Sequence, residues 1–269
     1  MIVHNFDPIL IDFGLFQIRW YSLAYIGGIA FGWIYANKII NKIKNNQYNF
    51  KSINTEQFDN LVTYLIIGII VGGRLGYVFF YNLQFFATNP FEIIKIWRGG
   101  MSFHGGLFGV IIATAIFSKT TKNNFFKLSD IICCVAPIGI FLGRIANFIN
   151  GELFGKITTV PWAVIFSVEE NVGRHPSQIY EAILEGIILF FIINFLALRK
   201  KKLFNTGYIS GIFLILYSIL RMISEIFREP DIHVGYFYSY LSTGVLLSLF
   251  TLATGFFVIL FNKKNEQNN

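Results

Sequence analysis

The sequence predicts an all-α integral membrane protein. It has seven transmembrane helices, the amino terminus outside, the carboxyl terminus inside, and a small extracytoplasmic head formed by the N-terminal arm and outer loops. Three observations predict this fold. Of 269 residues, 54% are hydrophobic, 18% aromatic and only 14% charged. A soluble domain carries about 25% charged residues, so this chain lacks the polar side chains to coat a water-facing globule. Seven stretches reach the roughly 20 apolar residues that a bilayer crossing requires. The lysines, finally, gather on alternate loops.

In chain order, residues 1–17 lack a basic n-region and contain Asp7, Pro8 and Asp12, so they read as an ordered arm rather than a cleaved signal peptide. The spans follow at about 18–37, 61–81, 102–118, 128–147, 178–198, 207–227 and 237–261, within a single polytopic membrane domain, 1–269. Thirteen of the 22 basic residues fall on the loops after spans one, three, five and seven, which sets those loops inside. The residue types divide further: twelve of fourteen lysines are on that side, whereas seven of eight arginines are elsewhere. Topology accounts for the lysines. It leaves the arginines, rigid forks suited to phosphate or carboxylate, to be explained.

The net charge of +7 follows from topology and not from nucleic-acid binding. Disordered, collagen-like and disulfide-stapled classes are excluded by composition. Cys133 and Cys134 sit in an apolar run and read as buried small hydrophobes. No metal-ligand spacing, P-loop or serine nucleophile elbow occurs in the sequence. Small-xxx-small pairs (Gly28/Gly32, Gly72/Gly76, Gly105/Gly109, Gly139/Gly143, Gly151/Gly155, Gly207/Gly211) predict mostly close helix packing in lipid.

Ionisable groups at mid-bilayer cost about 2.5–3.5 kcal/mol each on insertion scales, so each requires a partner or a function. Tyr217, Arg221, Glu225 and Arg228 share a face of the sixth span, with two arginines around one glutamate. That imbalance points to an anion site. Arg74, Tyr77 and Tyr81 form a stripe in the second span with structural and functional readings equally open. Gln178, Glu181 and Glu185 share a face of the fifth span and are expected to support the arginines from behind. The run Gly143 to Gly155 places Arg144 and Asn147 on one face at the outer end of the fourth span, then breaks at Asn150-Gly151 to expose Glu152. His104 lies between two Gly-Gly pairs, an arrangement that predicts close approach of a substrate to backbone. Arg174-His175-Pro176-Ser177 reads as a helix start, with Ser177 as the cap.

With these residues assembled, the chain resembles the bacterial prolipoprotein diacylglyceryl transferase family over nearly its whole length. Gly143 through Gly155 fits the family signature G-R-x-[GA]-N-F-x-N-x-E-x-x-G at every specified position. The family's His-Gly-Gly element is similar to His104-Gly105-Gly106, its His-Pro-x-Gln element to His175–Gln178, its Arg-x-x-x-Glu-x-x-Arg element to Arg221–Arg228, and its N-terminal tyrosine to Tyr21. One departure is Ser242-Thr243-Gly244-Val245, where relatives commonly have Ser-Met-Gly-Gln.

The resemblance implies a transferase of lipoprotein biosynthesis in the bacterial cytoplasmic (inner) membrane. Its reaction would move diacylglyceryl from phosphatidylglycerol to the lipobox cysteine of a prolipoprotein signal peptide, with no cofactor or metal. The implied catalytic residues are His104, Arg144, Arg221, Tyr21 and Asn147. Substrate binding would use Arg144, Asn147, Glu152, Gly155, Tyr217, Glu225 and Arg228, facing the extracytoplasmic side. Partners are the two substrates and the bilayer, not nucleic acid. A transporter or channel for an anionic solute is the alternative, and it predicts polar residues continuing to the inner face.

Overall fold

The computed structural model describes residues 2–14, 17–44, 54–166, 171–229, 236–237 and 241–267. Seven of its helices are long and apolar enough to cross a membrane. They are α1 (Trp20–Lys44), α2 (Thr55–Tyr81), α3 (Phe103–Thr121), α4 (Phe125–Ile149), α5 (Ser177–Arg199), α6 (Tyr208–Glu225) and α7 (Thr243–Gln267). Each overlaps one expected span. The first runs further, to Lys44, and the second begins earlier, at Thr55, because polar residues continue the backbone ladder beyond the apolar run. At the latter end, Asn54 and Gln57 form a reciprocal capping box.

The chain divides into two compact units: Met1–Ala36 with Asp130–Asn269, and Asn37–Ser129. In the second, α2 and α3 meet backbone to backbone. A Cβ on Gly68, Gly72 or Gly76 would strike Gly109, Gly105 or their neighbours, and the converse holds for Gly105 and Gly109. Ser102 caps α3 by accepting from the Gly105 amide at 3.2 Å. Arg74 organises the connection between the two helices. It is 5% exposed and donates to five backbone carbonyls, those of Glu92, Ile93, Lys95, Gly99 and Gly100.

In the first unit, β1 (Ile2–Val3) pairs parallel with β4 (Val164–Ile165), which pairs antiparallel with β5 (Gly173–Arg174). A second ribbon joins β2 (Ile9–Asp12) to β3 (Gln17–Arg19). His4, just beyond β1, donates from Nε2 to the carbonyl of Phe148 at 2.7 Å, satisfying one of the open carbonyls at the end of α4. At the opposite end of α4, the buried Asp130 accepts from the amides of Gly207 and Ser210 and from the Ser210 hydroxyl at 2.6–2.7 Å, holding the first turn of α6. The fifth span is unusual in winding as π-helix over Ala182–Ile188 and Phe195–Arg199. Such segments recur at functional sites.

Candidate active site

Three helices of the first unit bring their charges together. α5 supplies Glu181 and Glu185, one turn apart at the start of its π-helical stretch. α4 supplies Arg144, whose Nη1 lies 2.8 Å from Glu181 Oε2 and whose Nη2 lies 3.1 Å from Glu185 Oε2. α6 supplies Arg221, with Nη1 at 3.3 Å from Glu181 Oε1 and 3.6 Å from Glu185 Oε1, and Nη2 at 2.7 Å from Glu225 Oε2. Just past α6, Arg228 Nη1 reaches Glu181 Oε1 at 3.2 Å. Glu181, only 1% exposed, therefore touches all three guanidiniums.

The sixth-span stripe alone carries an excess positive charge, as its sequence indicates. The partner that the stripe itself lacks comes from the fifth span, where Glu181 meets Arg228. The cluster of Arg144, Arg221, Arg228, Glu181, Glu185 and Glu225 has formal charge zero. Such balance lets six ionised groups remain away from water, since breaking a buried pair costs about 3–5 kcal/mol. Hydroxyls complete the shell, with Ser224 Oγ donating to Glu185 Oε1 at 3.1 Å and Ser242 Oγ to Glu225 Oε1 at 2.7 Å. The Tyr217 hydroxyl is within electrostatic range of Arg144, Arg221, Glu181 and Glu185.

A second chain of contacts, built on Asn147, Tyr21 and Glu152, adjoins the first. Helix α4 ends at Ile149, and Gly151 turns the chain at φ +66°. Glu152 folds back so that Oε1 accepts from Asn147 Nδ2 at 2.7 Å, and the same amide group donates to the Tyr21 hydroxyl at 3.1 Å. Gln178 Nε2 donates to the Glu152 carbonyl at 2.6 Å, tying this loop to the helix that carries Glu181. Gly155 lies against the carbonyls of Phe227 and His175, where a Cβ would collide with both. No side chain fits that position.

The side chains of Arg144 and Arg221 remain 18% and 12% exposed, whereas the carboxylates behind them are at most 9% exposed. Each guanidinium carries five N–H donors, more than the carboxylates engage.

The comparison with known proteins bears on this arrangement. The family model for prolipoprotein diacylglyceryl transferase matches residues 8–261. The chain belongs to the prolipoprotein diacylglyceryl transferase family. Among curated relatives, the phosphatidylglycerol–prolipoprotein diacylglyceryl transferase of Rickettsia bellii (strain OSU 85-389) is 48% identical over 260 residues, covering 97% of both chains. The enzyme of the same name from Rickettsia typhi (strain ATCC VR-144 / Wilmington) is 50% identical over 260 residues, covering 96% of this chain and 98% of its own. This membership makes the protein a transferase, and the transporter reading finds no support.

Within this member of the prolipoprotein diacylglyceryl transferase family, Tyr21, Arg144, Asn147, Glu152, Gly155, Tyr217, Arg221, Glu225 and Arg228 all lie in the first unit, in or beside the contacts described. His104 lies in the second unit. It is exposed near the start of α3, edge-on to Phe103. Three of the four glycines around it have local reasons of their own. Gly99 and Gly100 adopt φ +82° and +81°, and Gly105 packs against α2. Close approach of a substrate is not needed to explain them. Ser177 does not cap its helix either: it is the first helical residue, Pro176 holds the cap position, and the Ser177 hydroxyl donates to the Leu153 carbonyl at 3.0 Å.

Glu181 and Glu185 support the arginines from behind, and their shared face was visible; that Glu181 touches all three guanidiniums was not. Ser224 and His4 went unnoticed, and Ser242 was read only as part of the departure in the last span. A serine three residues before a helix amide is a readable signal only when the helix start is known.

Proposed function

We propose that the protein transfers the diacylglyceryl group of phosphatidylglycerol to the lipobox cysteine of prolipoprotein signal peptides, the first step of lipoprotein maturation. The observation that carries the reading is the sharing of Glu181 and Glu185 by arginines from two different helices. That sharing holds Arg144 and Arg221 side by side with spare donors.

The cysteine sulfur attacks the glyceryl carbon, the carbon–oxygen bond to phosphate breaks, and glycerol phosphate leaves with that oxygen. Forming thiolate at pH 7 from a thiol of pKa about 8.5 requires roughly 2 kcal/mol. Stabilising the charge that builds on the leaving phosphate is the larger task, and each preorganised donor removed from such a site typically costs about 3–4 kcal/mol. Arg144 and Arg221 take this role. Asn147 and Tyr21 orient the headgroup, Glu225 holds Arg221, and Glu152 and Gly155 shape the loop beside it. Arg228 belongs to the same cluster and Tyr217 borders it. The role implied for His104 is that of base or thiol-positioning residue. If it is only a base, His104→Gln activity recovers as pH is raised; unchanged loss across pH assigns it to positioning.

The reading also sets the amino terminus outside, the carboxyl terminus inside and the active site on the extracytoplasmic side of the bacterial inner membrane. Support comes from the lysine asymmetry of the loops. The test combines purified protein, phosphatidylglycerol and a lipobox peptide, with mass spectrometry of the peptide. One diacylglyceryl adduct is expected with wild type and none with Arg144→Ala. No adduct from the folded wild-type protein overturns the reading.

A further inference from the structure

Ser242-Thr243-Gly244-Val245 opens the last span, at the point where this chain departs from the family pattern. The Ser242 hydroxyl is used at both ends. Its oxygen accepts from the Val245 amide at 3.3 Å, capping α7, and its proton goes to Glu225 Oε1 at 2.7 Å. Gly244 completes the seat, for a Cβ there would come within 2.5 Å of Glu225 Oε1 and 2.8 Å of Oε2. The first turn of α7, with its partial positive charge, therefore lies directly against a carboxylate. The other oxygen of that carboxylate is 2.7 Å from Arg221 Nη2, the shortest of the Arg221 ion pairs, the others being 3.3 and 3.6 Å. Val245 contributes its backbone amide to this arrangement, so the contact needs no polar side chain at that position.

The geometry points to Ser242 as a positioning residue for the transfer reaction: with Gly244 it seats Glu225 on the start of the last helix, and Glu225 in turn aims Arg221. This rests on the proposal that Arg221 meets the phosphate of the lipid. A misplacement of about 1 Å at a catalytic group can cost on the order of 100-fold in rate, so a tether one residue removed from the arginine is felt in turnover.

The test measures adduct formation by Ser242→Ala, Ser242→Thr and Ser242→Asp at equal amounts of folded protein. Loss of the tether lowers kcat for Ser242→Ala by about 10- to 100-fold, with a smaller change in KM, because the arginine acts on charge that develops in the transition state. Ser242→Thr keeps the hydroxyl and restores kcat. Ser242→Asp caps a helix as well as serine does but has no proton to donate and sets a like charge beside Glu225, so it stays at or below the alanine variant. Wild-type kcat in Ser242→Ala, or recovery in Ser242→Asp, overturns the inference and reduces Ser242 to a helix cap. The Thr–Asp pair decides the matter even if the alanine variant does not accumulate. Absence of adduct from wild type overturns the proposed function instead, so the two failures are separable.

Discussion

Arg74 and the Arg144–Arg221 pair are all arginines withdrawn from water in helices that cross the membrane, yet they are bonded in opposite ways. Arg74 spends its guanidinium on five backbone carbonyls of one connecting segment. Five contacts match the five N–H groups of the side chain, so nothing remains for a ligand. Arg144 and Arg221 instead face carboxylates on a neighbouring helix, keep donors in reserve, and are the most exposed members of their cluster. The first arrangement fixes a loop. On the proposed function, the second presents guanidinium donors to the lipid phosphate, with the carboxylates balancing their charge.

This difference can be tested by substitution, beginning with the largest effect. Arg221→Ala should cut turnover by at least about 100-fold, the typical cost of removing one preorganised donor from a developing charge, as read by adduct formation per folded molecule. Glu181→Gln should cost about 3 kcal/mol of stability, because three guanidiniums lose a shared partner in a buried site; thermal unfolding in detergent measures it. Arg74→Ala should lower stability by about 1–3 kcal/mol through carbonyls left without a donor, and proteolysis between residues 82 and 102 should accelerate. Turnover per folded molecule should hardly change. Gly105→Ala should also cost about 1–3 kcal/mol, since its methyl would meet the backbone of Gly72 and Gly76.

The smallest expected effect is a pH dependence. His175, outside the spans, has its imidazole pKa held below the usual range by burial and by the nearby Lys156. The folded protein thus favours the neutral ring. Its contribution to stability is complete above the ordinary histidine pKa of about 6.5 and declines as pH falls below it. The melting temperature of His175→Gln should therefore fall less than that of wild type between pH 7 and 5.5.

The spans were legible because lipid imposes a length and an apolar composition on every crossing helix, and the break at Asn150-Gly151 was legible because glycine permits the positive φ found there. Pairing across helices was not. The partner of Arg228 lies 47 residues away in sequence, and no periodicity within one helix reveals it. The packing demands on the glycines near His104 are hidden from the sequence for the same reason. Gly99 and Gly100 turn the chain at positive φ, and Gly105 packs against the backbone of α2, a different segment. The π-helical winding of α5 left no sequence signature either, because it depends on how that helix packs.

The most direct measurement compares Arg144→Lys with Arg74→Lys, each keeping its charge while losing the planar fork. Adduct formation is normalised to folded protein and set beside the melting temperature. We expect Arg144→Lys to lose most of its turnover while staying folded, and Arg74→Lys to melt earlier yet turn over within about threefold of wild type, less than half the free energy of one lost catalytic donor. Near-normal turnover in Arg144→Lys, with the main catalytic loss in Arg74→Lys, would contradict the assignment of the anion site to the carboxylate-held arginines.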